Sequence, residues 1–374
     1  MAKVSEFYKG RRKKRNYAVV IAAVVLGLIA VAVTMFYGIQ KYAVISKDGV
    51  TIDIPMLRTG KETTDVNGNT VPVFDKVDVA MAINEPDYSS VKADPKPNAP
   101  EIRAIFIPAA EMTNDKITEC AGRLVSGNAL ILEVKPREGS LMWDSQTKGA
   151  YDYAAFMSSP IDLKETVNSL KASNIYLAAQ ISCCVDELLA ARSYMGLTAQ
   201  YGSAFKNDTG YWLDPYNMEL RNYIVDLARE LYDMGFDEVI LADVAHPDTG
   251  ELAVYYTRDM SATPSAYNAV CGFAKYVADE LADREGVLSI YCYGFNVLQN
   301  GRDSVNGQDL ALFLKLYDRV YYETDKYAYT VSNLKTATPY VTYGKASDRF
   351  VPVVINYLPD NSSWVLVDME EKED

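Results

Sequence analysis

From Glu101 onward, short apolar runs alternate with amphipathic stretches, and this alternation is what most limits the fold. The runs are Ile102–Pro108, Ala129–Lys135, Ile175–Ser182, Glu238–Asp243, Val287–Tyr293, Arg319–Glu323, Val351–Asn356 and Trp364–Asp368. Their length and near-continuous apolar character fit strands buried on both faces, as in a parallel sheet. Between most of them lie stretches with helical spacing: Asp115–Val125, Leu163–Ala172, one near Val185–Met195, Asn217–Met234, Ser265–Arg284 and Gln308–Tyr317. Eight strands, most separated by helices, predict a closed (β/α)8 TIM barrel of the α/β class over residues 101–374. An open doubly wound sheet is the alternative, but no glycine-rich phosphate loop follows any strand.

The amino-terminal hundred residues read differently. Six of the seven residues Lys9–Arg15 are basic, and an uncharged apolar run follows over 17–39. A run of that length spans a bilayer as one transmembrane helix, and the basic tail, 1–16, should stay on the cytoplasmic side. A cleaved signal peptide would have a shorter core ending at small residues; here the run continues through Val33, Met35, Phe36 and Tyr37. The expectation is a single-pass anchor in the cell membrane with the barrel outside the cell. Residues 40–86 hold two strand-like patches, Gly49–Pro55 and Val71–Ile83, around a polar, turn-rich stretch, Thr59–Thr70. Residues 87–100, with Pro95, Pro97 and Pro100, read as a linker.

Charge and composition exclude several functions. The net charge is −13; residues 1–16 carry +6, so the remainder carries −19. A surface this acidic does not suit nucleic acid, whose phosphates need clustered Lys and Arg. Five cysteines without a CxxC pair, and a single histidine, His246, predict no zinc site and no metal or other cofactor. Adjacent Cys183 and Cys184 read as small buried residues rather than a disulfide framework. His246, beside Pro247, reads as a turn residue, although its place just past a strand would also suit a general base.

In such a barrel, function sits at the carboxyl ends of the strands. Strand two ends Glu133-Val-Lys135; with a period of two, Glu133 faces the lumen and Lys135 stands above it. The fourth strand ends in Asp243, the sixth in Glu323 and the eighth in Asp368. Two suitably spaced carboxylates suffice for glycoside hydrolysis, one as acid and one as base or nucleophile. The candidate catalytic set is Glu133 and Glu323, with Asp243 as a third member. Such acids also cap helices or pair with cations, so a structural role is the competing reading for each. Candidate substrate contacts are Lys135, Trp143, Asp214, Tyr293 and Tyr322; aromatic rings there would stack on sugars or simply close local clusters.

Three segments carry a resemblance: Tyr211-Trp-Leu-Asp-Pro-Tyr-Asn217, Asp226-Leu-Ala-Arg-Glu230 and Met234-Gly-Phe-Asp-Glu-Val239. With Ala129–Gly139, Asn174–Ala190 and Gln308–Tyr322, they resemble a bacterial family of glycoside hydrolase-like TIM barrels, often with an amino-terminal membrane anchor. The likeness covers most of residues 101–357 and implies action on a polysaccharide by analogy. The departures fall at the presumed mouth. The family's strand-four aspartate aligns with Ala242 and its following arginine with Ala245. Asp243 is one position late, which on a regular strand turns the side chain to the other face. Gln180 stands where the family tends to have an arginine, and Pro136-Arg137-Glu138 replaces an acidic run. The expected function is therefore a membrane-anchored, extracytoplasmic glycoside hydrolase-like protein acting on cell-wall or surface polysaccharide. The alternatives are an inactive barrel that binds carbohydrate or envelope components, and a purely structural envelope protein.

Overall fold

The structure, a computed structural model, describes residues 27, 43–46, 49–52, 62–64, 70–72, 88, 91–92, 99–124, 128–153, 161–192, 194–199, 202–250, 265–324, 327–355, 359 and 362–367. The chain divides into two compact units, Met1–Ala82 and Ile83–Asp374.

In the first unit, Ala43–Ser46 pairs antiparallel with Gly49–Ile52, and Glu62–Thr64 with Thr70–Pro72. The first hairpin overlaps the patch expected at Gly49–Pro55. Glu62–Thr64 lies inside the stretch expected to be a turn, because its threonines suit an extended chain. Most of the patch expected at Val71–Ile83 lies outside the described residues. So does the expected membrane span, of which only Gly27, in a helix, is described. Among the described residues no helix is long and apolar enough to cross a membrane.

The second unit is a closed barrel of eight parallel strands: β1 (Arg103–Ile107), β2 (Ala129–Lys135), β3 (Tyr176–Ser182), β4 (Glu238–Ala242), β5 (Val287–Cys292), β6 (Arg319–Thr324), β7 (Phe350–Ile355) and β8 (Trp364–Val367). Each pairs with its sequence neighbours, and β8 closes on β1 with Trp364 beside Arg103. The strands match the eight apolar runs to within two residues at either end. Ten helices stand between them among the described residues: α1 (Asn114–Gly122), α2 (Lys148–Tyr153), α3 (Leu163–Ala172), α4 (Glu187–Arg192), α5 (Met218–Met234), α6 (Ala266–Glu280), α7 (Phe295–Asn300), α8 (Leu310–Leu316), α9 (Tyr327–Ala337) and α10 (Ala346–Arg349).

Local chemistry sets these boundaries. Asn217 caps α5, its Oδ1 accepting from the amides of Glu219 (2.9 Å) and Leu220 (3.2 Å). Gly235 ends α5 in the left-handed conformation at φ 112°, which costs glycine least. Alternate strand residues divide the core. Ala104, Ile131, Ala178, Ile240, Tyr291, Tyr321, Val353 and Val365 fill the lumen, while Leu130, Leu132, Leu177, Val239, Leu241 and Val320 pack under the helices. Tyr88 also belongs to this unit: it is buried against Cys271 and Leu312, and its hydroxyl donates to the Asn268 carbonyl (3.3 Å).

The amino-terminal end of the lumen is closed by a buried ion pair. Glu238 of β4 pairs with Arg319 of β6, both side chains fully buried. The carboxylate also accepts from the hydroxyls of Ser289 (2.6 Å), Tyr321 (2.8 Å) and Tyr176 (2.9 Å). Glu238 belongs to the Gly-Phe-Asp-Glu segment, so that motif builds the barrel floor.

Candidate active site

At the opposite end, β2 delivers Glu133 to the lumen wall, beside Gln180 of β3. One carboxylate oxygen accepts from the Ala109 amide (2.9 Å), at the start of the short helix that follows β1. Burial raises the Glu133 pKa from its ordinary 4.5. The Ala109 amide opposes this, the charges of Glu138 and Asp243 add to it, and Arg137 pulls it back. Glu133 thus holds its proton to higher pH than a solvated glutamate. Beside it, the side-chain amide oxygen of Gln180 is buried without a hydrogen-bond partner among the described residues.

β4 ends at Ala242, and Asp243 adopts a left-handed turn, φ 55°. A regular strand would have sent it to the outer face; the turn brings it back to the mouth, a conformation aspartate tolerates better than most residues. There its carboxylate is gripped by Arg137, with Nε at 3.0 and 3.2 Å and Nη2 at 2.6 Å. The Ser182 hydroxyl donates to it at 2.7 Å. The Asp243 amide donates to the Tyr293 hydroxyl (2.9 Å). Arg137 remains about half exposed while Asp243 is buried. The pair raises the arginine's pKa, chiefly through the hydrogen bonds to Asp243.

β6 places Glu323 two residues beyond lumen-facing Tyr321, exposed at the rim. In the closed strand order β2 and β6 lie across the lumen from each other. Between them stands Tyr291 of β5, stacked with Tyr293 (centroids 5.6 Å) and tilted against Tyr321 (5.7 Å). Burial raises its hydroxyl pKa, and the charges of Glu323, Glu133 and Asp243 add to that in this order. Carboxylates from β2, β4 and β6 therefore all act on one lumen hydroxyl.

Several sequence-based assignments need correction. Lys135 does not stand above Glu133. A register irregularity between the two pairs Lys135 with Ile181 of the outer layer. Its ammonium is fully buried, 2.7 Å from Asp186 and 2.7 Å from the Ser182 carbonyl. Tyr322 faces away from the lumen, stacked on Phe350 at 4.2 Å, because it alternates with Tyr321 and Glu323. Trp143 is buried, its indole N–H donating to Glu230 of α5 (3.0 Å). Asp214 folds the turn into α5, accepting from the Tyr216 amide (2.9 Å). Of the expected substrate contacts only Tyr293 sits within the carboxylate group. His246 is buried in the segment that follows β4: burial lowers its pKa to about 4, and its ring contacts the Pro247 carbonyl. Cys183 and Cys184 are buried free thiols, and no cysteine is bonded to another. The expected strand-eight acid, Asp368, lies outside the described residues.

Sequence reasoning missed Arg137, Ser182 and Tyr291. Arg137 finds its carboxylate 106 residues away, beyond any local pattern. Tyr291 was within reach: it shares a strand face with Tyr293. Among the described residues no group of three or more His, Cys, Asp or Glu side chains is placed to hold a metal ion. The mouth thus offers a proton-retaining carboxyl, an exposed carboxylate across the lumen, an arginine locked by a third carboxylate, and a tyrosine wall. Two carboxyl groups, one of them holding its proton, are the residue types that acid–base work on a glycosidic bond uses.

Comparison with known proteins adds the family. A domain family described as "Putative glycosyl hydrolase domain" matches residues 104–349. No curated protein matches the sequence. Among solved structures, the glycoside hydrolase domain of PgaB (BpsB) from Bordetella bronchiseptica is similar at 12% identity and a TM-score of 0.51, over 72% of this chain and 94% of that one. A hypothetical protein from Ruminiclostridium thermocellum is similar at 18% identity and a TM-score of 0.44, over 50% of this chain and 96% of that one. Aspergillus fumigatus Ega3, in complex with galactosamine, is similar at 10% identity and a TM-score of 0.38, over 70% of this chain and 79% of that one.

Proposed function

Because the chain belongs to the family described as "Putative glycosyl hydrolase domain", we propose that its barrel acts on a polysaccharide at the mouth, outside the cell, tethered by a membrane helix over residues 17–39. Glu133 is the proton donor to the glycosidic oxygen, and Glu323, exposed across the lumen, is the base or nucleophile. Asp243 holds Arg137 in place rather than reacting. Tyr291 and Tyr293 form the wall against which a sugar ring packs. The observation that carries this reading is geometric: Glu133 stands on the lumen wall across from the strand that bears Glu323, and burial raises its pKa, the direction a glycosidic acid needs. The tether rests on the apolar run and its basic flank.

A second reading is favoured by a specific arrangement. Ala242 and Gln180 stand where related barrels are expected to carry charge, and the nearby Asp243 is already occupied by Arg137 and Ser182. A barrel with that mouth would bind a glycan without cleaving it. One experiment separates the two: release of reducing ends from a panel of envelope and surface polysaccharides, alongside retention on the same glycans. Turnover that falls about a hundredfold or more in both Glu133→Gln and Glu323→Gln supports the hydrolase. Retention without turnover, lost in Tyr291→Ala, supports the binding barrel. Turnover unchanged in both glutamine variants overturns the assignment of the pair.

A further inference from the structure

On the floor side of the barrel, away from the mouth, a second cavity has the opposite electrostatic character. It lies where the chain enters β5 and β6 and has a volume of about 360 Å³. Lys275 of α6, Lys315 of α8, Lys92 and Arg284 line it, and among the described residues the acids in its wall are Asp279 and Asp318. Two of the cations are compensated. Lys275 pairs with Asp279, and Arg284 with Asp318 at 2.7 Å. Among the described residues Lys92 and Lys315 have no ion-pair partner, which leaves an excess of two positive charges among the described lining residues of a chain whose net charge is −13.

A further observation points to an acceptor. The Arg284 side chain is only 4% exposed. Its Nη1 donates to the Leu281 carbonyl (2.8 Å) and its Nη2 to Asp318, yet its Nε is buried with no partner among the described residues. A buried N–H left without an acceptor is costly, and a ligand oxygen would remove that cost. Asp318 does not serve: one of its oxygens accepts from Arg284 Nη2 and from the Leu288 amide (2.9 Å), but neither oxygen hydrogen-bonds Nε.

We propose that this cavity binds a phosphate monoester. Two unpaired lysines match the charge of about −1.5 to −2 that a phosphate monoester carries at neutral pH. The three non-bridging oxygens can accept from Lys92, Lys315 and the guanidinium together. The volume lies within the range of small-ligand sites, roughly 300–1,000 Å³. The phosphate could come from a soluble ester or from a lipid headgroup, since either presents the same oxygens. The site does not depend on the chemistry at the mouth.

The test is calorimetric titration of the full chain, in neutral detergent at fixed ionic strength, with glycerol 3-phosphate and with short-chain phosphatidic acid. Short-chain phosphatidylcholine is the control for the acyl chains. Binding of glycerol 3-phosphate that weakens about tenfold or more in Lys92→Gln/Lys315→Gln supports the site and a soluble source. Binding of phosphatidic acid alone, weakened to the same degree, supports the site and a membrane source. Lys92→Glu, a change at an exposed side chain that leaves no buried group unpaired, should weaken whichever ligand binds. Absence of binding by both esters, equal binding to phosphatidylcholine, or binding unchanged in the variants overturns the proposal.

Discussion

The two ends of the barrel lumen use the same residue type in opposite ways. At the floor, Glu238 is buried among Arg319 and three hydroxyls, and every lone pair on it is used. At the mouth, Glu133 has one amide donor, Glu323 is exposed, and Gln180 keeps a buried oxygen without a partner among the described residues. A carboxylate that is fully paired fixes which strands lie beside which. One that is half-buried and under-paired stays available for a proton or a ligand. The floor therefore belongs to the fold, while the mouth keeps polar groups open, although both sit on lumen-facing positions of the same barrel.

The sharpest way to break this comparison is to remove one partner at each end. Arg319→Met leaves Glu238 buried without its cation and should destabilise the barrel by about 3–5 kcal/mol, as for other broken buried pairs. Glu133→Gln removes a charge that burial already disfavours. Its effect at neutral pH should stay within about 1 kcal/mol, on the stabilising side. Urea unfolding of both variants checks this. The contrast also has a pH signature. The folded pKa of Glu133 is raised, so its contribution to stability is fully present below the ordinary carboxylate value. It is lost as pH rises through the folded value. The stability gain of Glu133→Gln over the parent should therefore grow with pH across that window. Equal destabilisation by both changes would erase the distinction between the two ends.

The difference between the ends also explains what the sequence revealed. The strands, α3 and α5 were legible because their signals are local: apolar runs, helical spacing, Asn217 before α5 and Gly235 after it. The segments that carry the family likeness turn out to be scaffold. Trp212 donates its indole N–H to Asn207 (2.7 Å), Asp214 folds a turn, Asn217 caps a helix, and Glu238 builds the floor. The mouth was legible only in part. Glu133 followed from the strand period and Glu323 from its place at the end of a strand. Lys135 did not, because a single register irregularity turns it to the outer layer, and no residue type announces that irregularity. Asp243 was caught between two faces, and its left-handed turn resolved the question. Arg137 had no signal, because its partner comes from a distant strand end.

A second, smaller effect separates mouth from floor by acid. His246 lies just past β4, buried, with its pKa lowered to about 4 from an ordinary 6.5. The charged form is disfavoured in the fold, so the histidine's contribution is present above pH 6.5 and is lost as pH falls through the folded value. Full protonation would remove about 3 kcal/mol by linkage. His246→Gln should flatten the stability profile between about pH 6.5 and pH 4 relative to the parent. Unfolding midpoints measured across that range test it. A parent and variant with parallel profiles would show that His246 is not buried as a neutral ring.

The smallest expected effect is the most informative about the mouth. Asp243→Asn leaves Arg137 without its bidentate partner. Because Arg137 is about half exposed, water takes over much of that interaction and the stability loss should be about 1 kcal/mol. The effect on Glu133 is the useful one. The charge of Asp243 raises the Glu133 pKa, and Arg137 lowers it. Removing the aspartate charge takes away a raising influence and leaves the arginine uncompensated, so both changes push Glu133 down toward 4.5. Carbon-13 carboxyl shifts of Glu133 followed through a pH titration read this directly, with or without a substrate in hand. If the mouth works as a coupled group, the Glu133 titration moves to lower pH in Asp243→Asn and turnover shifts with it. If the Glu133 titration stays where it is, Asp243 and Arg137 form a brace for the β4 turn with no hold on the acid, and the mouth resembles the floor more closely than its open carboxylates suggest.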